Sequence, residues 1–200
     1  MILQNEFYQR TDVVQIAKEL LGKFLITNFD GVITSGMIVE TEAYAGISDK
    51  ASHAWNGRFT NRTKIMYQQG GTAYIYLCYG VHSLFNIVTN KAGIPDAVLI
   101  RGILPEDGKD IMLHRKKAQK ITADFGIGPG KVSQILGIHY SQSGVPVTIP
   151  DGDAATKKPI IWVEDRGKVI SDSEIITTPR IGVDYAGEDA ALLWRFILKQ

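Results

Sequence analysis

Residues 72–79 and 81–89 form two β-prone runs that meet at Tyr79-Gly80. Aromatic and β-branched side chains suit a pleated strand, and glycine at the joint lets the chain reverse. The pair therefore predicts a β-hairpin with a tyrosine projecting from its turn. Further strands are expected at residues 24–27 and 32–42, around the turn Asn28-Phe29-Asp30-Gly31, and at residues 97–103. Shorter strand-like runs lie around Val147 and at 160–163, 169–177 and 192–198. Helical spacing is sparser. Val13, Ile16, Ala17, Leu20 and Leu21 share a helical face, with Thr11 or Asp12 as cap and Gly22 as stop. A short helix carrying His53 is expected from Ser48 and Asp49, a longer one over 105–120 with Pro105 in its first turn, and another opened by Gly128-Pro129-Gly130-Lys131 and ending near Gly137. Residues 57–62 read as loop. Strands that do not alternate regularly with helices predict an α+β fold with an antiparallel or mixed sheet. No repeat, low-complexity tract or linker divides the 200 residues, so one domain over 1–200 is expected.

Several classes are excluded at this level. The longest uncharged stretch, residues 65–90, holds Gln68, Gln69, Tyr74, Tyr76, His82, Asn86 and Asn90, too polar for a membrane span. The start of the chain has no basic residues followed by an apolar run, so cytoplasmic residence is the expectation. Cys78 is the single cysteine, which excludes a disulfide framework and a cysteine-rich zinc site. His53, His82, His114 and His139 have no paired ligand spacing, so neither metal nor cofactor is expected. The net charge of +1 conceals a partition. Residues 1–49 carry 7 acids against 3 bases, 50–131 carry 5 against 12, and 132–200 carry 9 against 7. A basic centre suits a polyanionic partner, although Lys116, Lys117 and Lys120 also fit a solvated helix face.

Glu40-Thr41-Glu42 sets two carboxylates on one face of a strand end, an arrangement suited to acid/base chemistry and equally compatible with a solvated edge. Asp49, His53, Arg58 and Arg62 follow closely. Tyr74, Tyr76 and Tyr79 offer rings for stacking against nucleobases, or simply good strand residues. Asn86 interrupts an otherwise β-prone strand, as a polar discriminator in a pocket would. Arg101 closes the apolar run Val98-Leu99-Ile100 and projects a charge from the end of a strand. Gly128, Gly130 and Lys131 stand where a helix N-terminus would face a phosphate. The stretch is one residue short of a nucleotide-triphosphate loop, and Val132 stands where that loop needs Ser or Thr.

Taken in order, Glu40-Thr41-Glu42-Ala43-Tyr44, Asp49, Ala51, His53, Gly57-Arg58, Tyr74-Ile75-Tyr76, Tyr79-Gly80, Asn86 and Val98-Leu99-Ile100-Arg101 resemble the alkyladenine (3-methyladenine) DNA glycosylase family. The similarity continues through Gly128-Pro129-Gly130-Lys131-Val132 to Arg180-Ile181-Gly182-Val183, Ala186-Gly187-Glu188 and Trp194-Arg195-Phe196, nearly the whole chain, at the size of the compact bacterial members. The resemblance implies a curved sheet with surrounding helices and a protruding hairpin. It also implies a monomer acting on duplex DNA that contains damaged purines, associated through DNA with the bacterial nucleoid. Glu42 matches the general base, Arg101 a residue that helps hold the attacking water, Tyr44 and Tyr76 the aromatic walls, and His53 the edge of the base. Asn86 matches a residue crowding guanine's 2-amino group, Tyr79 the wedge, and Arg58, Arg62, Gly128, Gly130 and Lys131 fall to the DNA backbone. The chain departs from the pattern at Asn61, where proline is expected, and at Tyr67, where phenylalanine is usual. A glycoside hydrolase of free sugars would also use paired acids but needs no basic centre. A non-catalytic DNA-binding module leaves both glutamates unexplained.

Overall fold

A single long strand organises the molecule, and its length allows one edge to serve two partners. In the computed structural model, which describes residues 1–148 and 160–199, β1 (Phe24–Phe29) and β2 (Val32–Tyr44) form the first hairpin around Asp30-Gly31, where both φ angles are positive (54° and 83°). β3 (Ala73–Cys78) and β4 (His82–Thr89) form the second, around Tyr79-Gly80-Val81, and β5 (Asp96–Pro105) joins β4 to β2. β6 (Ile161–Glu164) extends the sheet beyond β1. β8 (Arg195–Leu198) pairs with Glu40, Thr41 and Glu42 of β2, past the point where β1 leaves that edge, and β7 (Ile175–Thr178) pairs with β8. Every pairing between these strands is antiparallel.

Alternation along the central strands separates two environments. On one face Ile38, Ala43, Val98, Ile100, Phe85, Ile87, Ala73 and Ile75 enter the main core. They meet α2 (Val13–Glu19) and α4 (Pro129–Leu136), with Met112 of α3 (Lys109–Lys116) and Tyr8 of α1 (Asn5–Tyr8) completing the layer. On the other face Tyr44, Ala97, Leu99, Asn86, Leu84, Tyr74 and Tyr76 line a cavity. Strict alternation would put Glu40 with Ile38, in the core. Two register shifts prevent this: between Ile38 and Glu40 the pairing skips Val39, and between Glu40 and Thr41 it skips Arg101 on β5. Each extra residue reverses the faces of its strand, so Glu40 and Glu42 lie opposite the helices while Ile38, Thr41 and Ala43 turn toward them. The Thr41 hydroxyl donates to the Ala17 carbonyl of α2 at 2.8 Å.

The helices start and stop for local reasons. Asp12 is the cap of α2, its Oδ1 accepting from the Gln15 amide at 2.9 Å. Gly137 ends α4 in the left-handed region, at φ 72°. The expected helix over 105–120 is shorter than its pattern. Pro105 finishes β5, and α3 begins only after Gly108, where a Cβ would approach the Ile33 carbonyl oxygen to 2.5 Å. The helix expected from Ser48 does not form. The Asp49 carboxylate accepts from the Ala45 and Ala51 amides and stabilises turns instead, followed by one 3₁₀ turn at Trp55–Gly57. The run around Val147 makes only an isolated antiparallel bridge, Pro146 with Thr72, closed by the Ala73 amide on the Val145 carbonyl and the Val147 amide on the Gly71 carbonyl, each at 2.8 Å, and the run at 169–177 contributes only β7, after a 3₁₀ turn at Asp172–Glu174.

Candidate active site

The shift of Val39 and Arg101 out of register carries two carboxylates beneath the cavity wall. Glu42 is 0% exposed, and both of its oxygens are engaged: Oε2 accepts from the Tyr44 hydroxyl and Oε1 from the Ile181 amide, each at 2.8 Å. Arg101 Nη1 reaches Oε2 at 3.4 Å. Glu40 accepts from Arg101 Nε at 3.0 Å and Arg195 Nε at 2.6 Å. Two acids in a dry layer are thus matched by two guanidinium groups, one from β5 and one from β8. Glu42 does not itself line the cavity; Tyr44, Arg101 and Ile181 stand on the wall in front of it. A carboxylate has lone-pair sites beyond those two hydrogen bonds, so it retains capacity to accept from a water admitted at that wall.

The cavity has a volume of about 360 Å³ and is dominated by aromatic rings. The ring of Tyr76 meets His53 edge-on at 4.7 Å and lies 5.6 Å from that of Tyr74. Burial, together with the Glu42 carboxylate beside it, holds the Tyr44 hydroxyl well above the usual tyrosine range, so it remains a donor. Burial likewise raises Tyr76. Asn86 Nδ2 donates to the carbonyls of Tyr74 and Leu84, which fixes the amide on the cavity side of β4. Among the described residues, no lysine lines this cavity.

His53 links the base of the cavity to the basic loop. Its Nε2 lies 3.1 Å from Arg62 Nη2 and its Nδ1 2.9 Å from the Tyr74 hydroxyl. Arginine only donates, which assigns acceptance to Nε2 and the proton to Nδ1. Burial, with Arg62 and then Arg58 nearby, pushes the imidazole down to about 4. An unfolded chain takes up this proton near pH 6.5 and the folded one only near 4, so the His53 contribution to stability is lost as pH falls through that window. Urea unfolding of wild type and His53→Gln between pH 7 and 4 should show a shallower acid-side loss in the variant; parallel curves would contradict this assignment.

The remaining candidates are distributed around the mouth. Tyr79 is 94% exposed at the hairpin turn and holds φ 51°, a conformation rarely adopted by a bulky residue. Arg62 is on the cavity wall, its guanidinium 4.6 Å from the Tyr76 ring centroid. Arg58 is exposed on the preceding loop, where its carbonyl accepts from the Thr63 hydroxyl at 2.9 Å and, more weakly, from the Tyr67 hydroxyl at 3.3 Å. Tyr67 therefore adds a tether that phenylalanine lacks, and Asn61 sits exposed within the same loop. Gly130 brings the start of α4 against the hairpin; a Cβ there would approach His82 to 3.1 Å. The Gly128 amide is not free, since it donates to the Arg101 carbonyl at 2.8 Å, and Lys131 pairs with Asp124 at 2.6 Å.

The structure also adds groups that sequence reading left without a role. Arg180, held by Asp49, together with Ile181 and Arg195 completes the Glu40/Glu42 layer from residues distant in sequence. Their only signal was the Arg180-Ile181-Gly182-Val183 and Trp194-Arg195-Phe196 motifs, read solely as part of a resemblance.

Similarity to known proteins points to one family. Residues 6–200 match the family described as methylpurine-DNA glycosylase. Relatives that carry the provisional name 3-methyladenine DNA glycosylase include one from Chlamydia felis, 46% identical over 98% of this chain and 96% of its own length. One from Chlamydia pneumoniae is 44% identical over 98% and 95%. One from Clostridium perfringens strain 13 is 42% identical over 100% and 96%. The chain belongs to the methylpurine-DNA glycosylase family.

Proposed function

We propose that the protein is a monofunctional DNA-repair glycosylase. It takes damaged purines of the 3-methyladenine, 7-methylguanine, hypoxanthine and ethenoadenine class out of duplex DNA and hydrolyses their N-glycosidic bond, leaving an abasic site. The observation that carries the reading is a buried carboxylate, Glu42, directly behind an aromatic-walled cavity whose volume, about 360 Å³, lies in the range of roughly 300–1,000 Å³ typical of small-molecule sites. A base inside a duplex is out of reach, so it must enter that cavity as an extruded nucleotide. Tyr44 and Tyr76 flank the base, favouring a cationic alkylated purine through cation–π attraction of about 0.5–2 kcal/mol. His53, uncharged because of its burial, meets the base edge without repelling a positive ring. Asn86 crowds the pocket against a 2-amino group, which disfavours unmodified guanine. Glu42 then accepts a proton from water as its oxygen bonds to the anomeric carbon; the glycosidic electron pair leaves with the base, and Arg101 orients the water. Arg58, Arg62 and the start of α4 at Gly130 and Lys131 contact the DNA backbone, while Gly128, its amide spent on the Arg101 carbonyl, shapes that turn. The enzyme works as a monomer on DNA in the bacterial cytoplasm and requires no cofactor.

Among the described residues no lysine lines the cavity, so none of them offers an amine for a Schiff base at the reacting carbon, which favours hydrolysis without strand cleavage. Duplexes carrying hypoxanthine, ethenoadenine or an alkylated purine should be converted to abasic sites and break only after alkali. Breakage before alkali would remove the monofunctional assignment, and intact strands after alkali would remove the glycosylase reading.

Tyr79→Ala addresses extrusion separately from chemistry. A wedge stabilises the flipped state by filling the gap in the stack, so its loss should slow single-turnover excision more for a stably paired lesion than for one already mispaired. Equal losses on the two duplexes would show that Tyr79 does not act this way.

A further inference from the structure

Arg180 is a buried cation that touches the site from behind. It does not line the cavity, yet its guanidinium lies 4.8 Å from the Tyr44 ring centroid and 5.1 Å from that of Trp194. Asp49 holds it by two parallel contacts, Nη1 to Oδ2 at 2.5 Å and Nη2 to Oδ1 at 2.9 Å, with both side chains 0% exposed. The other Nη protons go to the carbonyls of Ala43 and Asp189 at 2.9 and 3.1 Å. Nε is buried with no partner among the described residues. A guanidinium that served only to fill the core would be expected to satisfy all its donors, so an orphaned Nε suggests that the group is held in place by another requirement.

That requirement is visible in its neighbours. Tyr44, against one side of the guanidinium, donates its hydroxyl to Glu42 Oε2, and Ile181, the next residue along the chain, donates its amide to Oε1, each at 2.8 Å. On the glycosylase reading, which this inference rests on, we infer that the Arg180–Asp49 pair is a positioning device for the reactive carboxylate: it fixes the two donors that hold Glu42 in line with the cavity wall. Arg180 is therefore a positioning residue and never meets the substrate. The planar fork matters as much as the charge, because a lysine ammonium can neutralise Asp49 but can neither bind it bidentately nor support an aromatic ring over its plane.

Arg180→Lys is the informative variant, since it retains the buried charge pair and therefore the fold. Single-turnover excision of one lesion duplex is measured over a range of enzyme concentrations, for wild type and Arg180→Lys, each also in a Glu42→Gln background, with thermal melts of all four proteins. We expect a cooperative melt for Arg180→Lys, an unchanged half-saturating concentration, and a maximal rate lowered roughly 10–100-fold, the scale of a reactive group misplaced by about an ångström. In the Glu42→Gln background the same change should cause no further fall, because the group it positions has gone. A wild-type maximal rate in a folded Arg180→Lys protein overturns the inference, as does an equal proportional loss in the Glu42→Gln background, which would mark general destabilisation. If Arg180→Lys fails to melt cooperatively, Asp49→Asn, which keeps the shape and weakens the fork, is judged by the same criteria. Failure of the wild-type protein to excise any lesion would be evident before any variant is compared, and would count against the glycosylase reading itself.

Discussion

Glu42→Gln should lower single-turnover excision at least ~100-fold while DNA binding persists, because general-base catalysis is worth roughly 10²–10⁴-fold and the amide retains the shape of the carboxylate. The glutamine oxygen can still accept from Ile181 or Tyr44, so the wall in front of it should stay in place. DNA affinity can even rise, since a negative charge near a phosphodiester has been removed. Glu40→Gln supplies the contrast. Glu40 is gripped by Arg101 and Arg195 and faces no part of the cavity, so its loss should lower the urea midpoint more than the excision rate. Should Glu40→Gln abolish chemistry and Glu42→Gln spare it, the catalytic assignment is displaced by two residues; should neither matter, the hydrolytic mechanism is wrong.

Arg101→Met should be the most destabilising of the site substitutions. The guanidinium contacts Glu40 at 3.0 Å and Glu42 at 3.4 Å, with side-chain exposures of 11%, 4% and 0% for the three groups. Removing one member of such a buried set leaves acids without their counter-ion, a loss typically of about 3–5 kcal/mol. Arg195 stays with Glu40 and softens the effect. Denaturant unfolding should show the loss, and Arg101→Met combined with Glu40→Gln should recover part of it. A second substitution that adds its own full penalty would show that the three side chains do not form one electrostatic unit.

What could be read in advance depended on how far the information lay along the chain. The hairpin was legible because its two strands and its turn are contiguous, and so was the start of α2, where Asp12 lies three residues before the amide it caps. The Glu40/Glu42 face was legible from their spacing. The reason they escape the core was not, since the skipped residues Val39 and Arg101 sit on different strands and neither position has a distinctive side chain for a bulge. Pro105 misled because proline suits both a helix start and the last residue of a strand; the close approach of Gly108 to the Ile33 carbonyl, where a Cβ would come to 2.5 Å, is a tertiary fact. Asp49 read as a helix starter and instead serves Arg180, 131 residues away.

The pairing of β8 with Glu40, Thr41 and Glu42 has a kinetic consequence. The contacts that complete the carboxylate layer join Glu42 to Ile181 and Glu40 to Arg195, across 139 and 155 residues of chain. The β3–β4 hairpin, by contrast, closes over three residues. Contacts of such long range carry the largest loop-closure entropy and are made late. A refolding chain will therefore show its tyrosine hairpin before it owns a finished acid site, and recovery of excision will follow the slowest step of folding. On the glycosylase reading proposed above, partly folded forms that already present Tyr79 would engage DNA without excising a base.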